Sequence, residues 1–246
     1  MSLKKGIVAL LLTLGLLGVT GCAISINGPV SINDKKVTVD KKVIELEGVK
    51  KANIKLSMGV GDLIIDKSTD KLMEGEFSYK NKEWKPEVDY KVNGNEGELK
   101  INQPHTKDVN VKMGKNDYKW NLMINKHIPM NMDVELGVGK GDINLKEVNI
   151  KNLNIKTGVG DIVIDLTGDY KEDVNLTIEG GVGNTIVYLP KNIGVKVKAE
   201  RGIGAIKTNE LKKEDDFYVN DSYKKTKNNI NVDIETGVGR IEFKLK

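Results

Sequence analysis

The stretch Ile230-Asn231-Val232-Asp233-Ile234-Glu235-Thr236-Gly237-Val238-Gly239-Arg240-Ile241-Glu242-Phe243-Lys244-Leu245 decides the fold. Apolar side chains fill every second position before the two glycines and again after them, with charged and amide residues between. That is the period of a half-buried strand, broken once by a glycine corner. Val174, Leu176 and Ile178 alternate in the same way before Gly181, and Ile162, Ile164 and Leu166 do so after Gly160.

The corner itself recurs. It reads Met58-Gly59-Val60-Gly61-Asp62, Leu136-Gly137-Val138-Gly139, Thr157-Gly158-Val159-Gly160-Asp161, Gly180-Gly181-Val182-Gly183-Asn184, Arg201-Gly202-Ile203-Gly204 and Thr236-Gly237-Val238-Gly239-Arg240. The second glycine falls at 139, 160, 183 and 204, steps of 21, 23 and 21 residues, and returns at 239 after a polar insertion around Glu210 to Asp216. A fixed period in the low twenties marks a solenoid. The expected fold is all-β: a stacked, single-stranded β-helix-like solenoid with 21–23-residue repeats. Successive repeats are expected to stack at about 4.8 Å, each burying an apolar face it cannot cover alone. Val60, Val138, Val159, Val182, Ile203 and Val238 are expected to point inward as one column.

Residues 46–133 form a less regular, hairpin-rich N-terminal part of the solenoid, and 134–246 the regular repeats. Val88 to Val92 and Leu99 to Ile101 alternate on either side of Asn93-Gly94-Asn95, which reads as a hairpin. A second hairpin is expected from Val109, Val111 and Met113, across Gly114 to Asp117, to Tyr118, Trp120, Leu122 and Ile124. Trp84, Tyr90, Tyr118 and Trp120 are expected to cap the apolar end of the stack; platforms for sugar rings are the competing reading.

Ahead of the β region, Lys4 and Lys5 precede a largely apolar run from Ile7 to Val19. That run is shorter than the roughly 20 residues that span a bilayer and suits an export signal. Val19-Thr20-Gly21-Cys22 follows and resembles the lipobox of bacterial lipoproteins. The resemblance implies that residues 1–21 are removed and that the Cys22 thiol takes up diacylglycerol, holding the protein on the extracytoplasmic face of a membrane. Residues 22–45, with Asn27-Gly28-Pro29 and interspersed lysines, read as a tether.

Composition narrows the chemistry. The 246 residues are 39% hydrophobic and 30% charged, with 39 Lys and Arg against 35 Asp and Glu, so no basic excess marks a nucleic-acid partner. One cysteine and two histidines exclude a disulfide framework and a zinc cage. Asp62, Asp142 and Asp161 follow corners, yet the later equivalents are Asn184, Ala205 and Arg240. One carboxylate per turn is sparse for calcium, which takes about six to eight oxygens, and Asp and Asn favour turns in their own right. Gly137-Val138-Gly139-Lys140-Gly141 lacks the Lys-Ser/Thr ending and helix of a phosphate loop. His105 and His127 sit near prolines without a Cys or Ser partner and read as surface residues. No catalytic residue, metal ligand or cofactor is expected. The competing enzymatic reading is a polysaccharide hydrolase or lyase, which would need two carboxylates at a set separation or a poised base.

The chain is similar over about residues 45 to 246 to the bacterial toast-rack proteins, and its C-terminal half to the domain ending LiaF-type proteins of the cell-wall antibiotic response. The resemblance is carried by Glu83-Trp84-Lys85-Pro86-Glu87-Val88, Leu99-Lys100-Ile101-Asn102-Gln103-Pro104, Trp120-Asn121-Leu122, Ile128-Pro129, Thr157 to Leu166, Tyr188-Leu189-Pro190 and Ile193-Gly194-Val195. It implies a stacked β-solenoid on the outer face of a membrane and brings no catalytic residues with it. LiaF-type proteins carry several transmembrane helices, which a lipid anchor replaces here. The expected partners are the membrane, through lipidated Cys22, and an envelope protein or cell-wall polymer, in a sensing role; an adhesin or polysaccharide-binding scaffold is the alternative.

Replacing Cys22 with Ala is expected to abolish metabolic labelling by fatty acid and to release the protein from the membrane fraction. A variant that still partitions into detergent like the parent would sink the lipobox reading.

Overall fold

The alternation described above becomes strand wherever the computed structural model describes the chain, residues 36–104 and 118–246. The strands are β1 Thr38–Ile44, β2 Lys51–Thr69, β3 Met73–Tyr79, β4 Glu87–Asn93, β5 Glu96–Asn102, β6 Tyr118–Asn125, β7 Met130–Asn144, β8 Ile150–Asp165, β9 Val174–Leu189, β10 Gly194–Lys207, β11 Lys212–Glu214, β12 Phe217–Val219 and β13 Asn229–Leu245. Among the described residues the one helical element is a 3₁₀ turn, Lys82–Trp84. The fold is all-β, a stack of long strands bent at the glycine corner and paired in parallel, as expected.

Each long strand has two arms, and their inward faces differ in phase. In β7, Met130, Met132, Val134 and Leu136 are buried before the corner, and Gly141 and Ile143 after it. Even positions face the core on one arm and odd positions on the other. β8 shows the same slip, from Leu153 and Ile155 to Ile162 and Ile164. The second glycine absorbs it with a backbone that side chains rarely adopt: Gly160 has φ +148, and a Cβ there would lie 1.7 Å from the Gly139 carbonyl oxygen. These glycines fall in one row across the stack, Gly61, Gly139, Gly160, Gly183, Gly239 and Gly204.

The slip overturns the expected inward column. Val138, Val159, Val182, Ile203 and Val238 stand outside the corner, 48%, 49%, 50%, 71% and 42% exposed, and Val60 is half-buried. An unbroken alternation would have turned them inward; the extra residue spent in the corner turns them out. The core is built from the arms. One ladder is Ile54, Met132, Leu153, Leu176, Val232 and Val197, and another on the second arm is Ile65, Ile143, Ile164, Val187 and Phe243. Each such side chain contributes about 1.5–3 kcal/mol of transfer free energy on burial.

The stack order also departs from chain order. It runs β2, β7, β8, β9, β13, β10, so the C-terminal strand lies between β9 and β10. The chain leaves β9, passes over a gap one strand wide to lay down β10, turns through β11 and β12, and fills the gap last. Lys246 closes it, its N–H donating to the Leu189 carbonyl at 2.9 Å while its own carbonyl accepts from Lys191 at 3.0 Å.

At the N-terminal end the first arm of β2 is covered by the β4–β5 hairpin and the second arm by β6, β3 and β1. The hairpin agrees with the expectation from Val88 to Ile101. β6 is a strand as expected, but its neighbours are β3 and β2; the expected partner arm from Val109 to Met113 lies outside the described residues. The aromatic residues gather here: Trp120 is fully buried edge-on to Phe77, with ring centroids 5.7 Å apart, and Trp84 meets Tyr118 at 5.8 Å. β1 falls inside the stretch read as tether, 22–45, because Lys41 and Lys42 belong to a charged edge strand rather than a spacer.

The corner separates two substitutions one residue apart. Gly160→Ala is expected to destabilise by more than about 3 kcal/mol, through strained φ and overlap with the Gly139 carbonyl. Val159→Lys, at the exposed position, is expected to stay within about 1 kcal/mol. Urea unfolding midpoints of the two variants check both.

Candidate functional site

Parallel stacking in register turns every sequence position into a row, and the outward rows of the first arm form the most ordered polar surface of the described chain. The outermost is an amide ladder. Asn131 donates to Asn53 at 2.9 Å, Asn152 to Asn131 at 2.7 Å, Asn175 to Asn152 at 3.0 Å and Asn231 to Asn175 at 3.1 Å. Asn53 donates in turn to the Glu96 carboxylate at 2.6 Å. All five amides thus point the same way and end on a negative charge, an arrangement in which each bond polarises the next. The Lys51 ammonium, 2.7 Å away, together with Asn53, holds the Glu96 carboxyl below its ordinary range.

Four residues along lies an acidic row: Ser57, Glu135, Lys156, Glu179, Glu235 and Glu200. Glu135 accepts from Lys55 at 2.9 Å and from Ser57 at 3.0 Å, and the Lys55 bond keeps its carboxyl low. Lys156 bonds Glu179 at 2.9 Å and Lys198 pairs with Glu200 at 2.8 Å. Glu235, between Glu179 and Glu200, has no ion pair among the described residues.

Beneath this row the first glycines of the corners, Gly137, Gly158, Gly181, Gly237 and Gly202, leave the surface hollow. A groove of about 790 Å3 runs there across the strands, walled by Glu135, Lys156, Glu179 and Glu235. A side chain cannot fill it: a Cβ on Gly158 would come 2.5 Å from the Gly137 carbonyl oxygen. Thr157 and Thr236, next in sequence to the groove walls, belong instead to the inward row of Leu136, and their hydroxyls are buried on the core side without a hydrogen-bond partner. The groove offers carboxylates as acceptors and one ammonium as donor, spaced by the strand repeat across the stack. That is equipment for holding a hydroxyl- or amine-bearing chain.

The residues singled out in the sequence sit elsewhere. Asp161 accepts from the Asn184 N–H at 3.0 Å and from its amide at 2.9 Å, a turn-stabilising role. Asp142 is on the second arm, where burial, then Asp66 and Asp165, raises its carboxyl. His127 is exposed, its Nε2 2.8 Å from Asp70, whose carboxyl His127 and Lys126 hold low. Among the described residues no group of three His, Cys, Asp or Glu is placed to bind a metal ion. Cys22 and His105 lie outside the described residues. Sequence reasoning missed the groove because its signal is a register: Glu135, Glu179 and Glu235 each stand two residues before a first glycine, a coincidence visible only when the corners are aligned.

Comparison with known proteins gives the lineage. The family model for the N-terminal domain of toast-rack proteins matches residues 32–188, and that for the C-terminal domain of LiaF, of the cell wall-active antibiotics response, matches residues 137–243. A crystal structure of a provisionally assigned cell adhesion protein from Clostridium sporogenes is 44% identical, covers 86% of this chain and all of its own (100%), and superposes with a TM-score of 0.83. A provisionally assigned adhesin from Bacteroides fragilis is 18% identical over 85% of this chain and 98% of its own, with a TM-score of 0.34. Among curated proteins nothing matches.

Removing one rung of the amide ladder tests its contribution. Asn152→Ala leaves Asn131 Oδ1 and Asn175 Nδ2 without partners and is expected to cost about 1 kcal/mol. Asn231→Ala, at the ladder's end, strands only one group and is expected to cost less. Urea unfolding at unchanged m-value reads both.

Proposed function

Since the chain belongs to the toast-rack family and carries a LiaF-type C-terminal domain, we propose that it is a lipid-anchored, non-catalytic binding module of the cell envelope acting in the response to cell-wall stress. Cys22 holds it on the outer face of a membrane, and the groove beside the glycine corners engages a cell-wall polymer or envelope protein. The observation that carries this reading is the groove itself: a hollow walled by a row of glutamates, one of which, Glu235, is in no ion pair among the described residues. A ligand hydroxyl or amine would donate charge-assisted hydrogen bonds to these carboxylates. The acids are spaced by strand pairing rather than set as an acid and a base about a bond, so the row holds a chain without cutting it.

Adhesion is the second reading, favoured by the 44% identical Clostridium sporogenes protein. In that role the same groove would engage a polymer on a neighbouring cell rather than the wall of its own. The two readings share a binding step and differ in where the ligand lies.

Binding is checked with purified cell walls. The double variant Glu179→Gln and Glu235→Gln is expected to bind walls about tenfold more weakly than the parent, a loss of about 1.4 kcal/mol. Glu98→Gln, away from the groove, serves as the control. Equal binding by parent and double variant, or release of soluble wall fragments by the parent, overturns the proposal.

A further inference from the structure

The two ends of the stack are finished differently. At the β2 end the corner is closed. The Val60 N–H donates to Gln103 Oε1 at 2.8 Å, the Tyr118 ring occupies the space beside Gly61, and β5 and β6 pair the two arms. At the other end β10 is paired along its whole length with β13 on one side, but on the other it meets only β12, at Lys196 and Val197. From Lys198 to Lys207 that outer edge has no strand partner among the described residues. Ile203 there is 71% exposed, against 42% to 50% for Val238, Val138, Val159 and Val182 at the same place in other coils. Where those coils follow the second glycine with Arg240, Lys140, Asp161 or Asn184, β10 has Ala205. Natural free edges are protected by charge, bulges or cover; no strand covers this one among the described residues, and the position after its second glycine is a small apolar residue.

We propose that this edge is closed by a second copy of the chain, joined tail to tail about a twofold axis through the corner, so that the two β10 strands pair antiparallel. The open stretch is centred on the corner, so a rotation there lays open edge on open edge. The phase slip makes the strand complementary to itself. Pairing Arg201 with Ile206 of the partner sets one inward position against another, and Ala199 meets Thr208 likewise. A strand without the slip would set inward against outward. Ala199 and Ile206, half-buried in the single chain, then receive the cover that Ile234 and Ile241 have inside the stack. Charge selects the register, since Glu200 faces Lys207 twice by symmetry. A shift of two residues toward the N-terminus would instead oppose Lys198 and Lys207. The groove reaches the edge at Gly202, which this register sets opposite Ala205 of the partner, so the two grooves would lie on either side of the shared corner.

In this arrangement the two Ile203 residues flank the axis. One residue step and one strand spacing place their α-carbons about 6 Å apart, within disulfide reach. The test is oxidative crosslinking in cells expressing the full chain with Ile203→Cys, alongside the parent, whose one cysteine is Cys22, and Val159→Cys. The expected result is a band at twice the chain mass from Ile203→Cys alone. Adding Glu200→Lys should lower its yield several-fold, and adding Lys207→Glu as well should restore it. A yield no greater than that of Val159→Cys, a crosslink to a different protein, or indifference to Glu200→Lys would overturn the proposal.

Discussion

Everything in this molecule depends on one close approach: the carbonyl oxygen of each second corner glycine lies where the next coil's glycine would otherwise carry a Cβ. The separation between that position and the oxygen is 1.6 to 1.8 Å along the row from Gly139 to Gly204. No other residue fits, so the corners must align, and once they align every residue of the two arms is committed to a row. The hydrophobic ladders, the asparagine ladder and the line of glutamates all inherit their register from that contact. A slip of one residue anywhere would drive a side chain into a backbone carbonyl while turning an entire arm inside out.

Much of this was legible before any coordinates. The alternation of Ile230 to Leu245 announces strand on both sides of a corner, and the spacing of the glycines announces stacking. The hairpin around Gly94 and the gathering of Trp84, Tyr118 and Trp120 at one end were equally plain. The inward column was not, because alternation counted through the corner from Leu136 to Ile143 hides an odd step, and only Gly139, by its backbone angle, reveals where the step is spent. The position of β13 was not legible either. The corners of β10 and β13 are alike in sequence, and nothing local states which of two similar strands lies nearer β9. β1 looked like a spacer because its apolar residues, Val39 and Val43, face solvent on an edge and its lysines guard that edge.

The outer face shows how a repetitive fold makes a site without a pocket motif. In an enzyme of mixed architecture, functional groups converge from separate loops. Here Glu135, Glu179 and Glu235 are the same position written three times, and the hollow below them is the necessary by-product of glycines that cannot be replaced. The constraint that holds the coils together therefore also opens the groove. Its floor can change little without loss of the stack, whereas its walls can vary coil by coil, as Lys156 within the acidic row illustrates.

The place of β13 has a consequence for how such a chain becomes a folded protein. A simple solenoid grows from one end, each coil templated by the one before it. Here growth halts after β9, because the surface that β10 requires is itself made of the 17 residues of β13, Asn229–Leu245. Until Asn229–Leu245 is available, β10 has nothing to pair with along its length, and β9 keeps an unsatisfied edge. The terminal half must wait for the whole chain and then close in a single long-range step. A chain cut short within that final segment would lose the middle of its stack, not its tip.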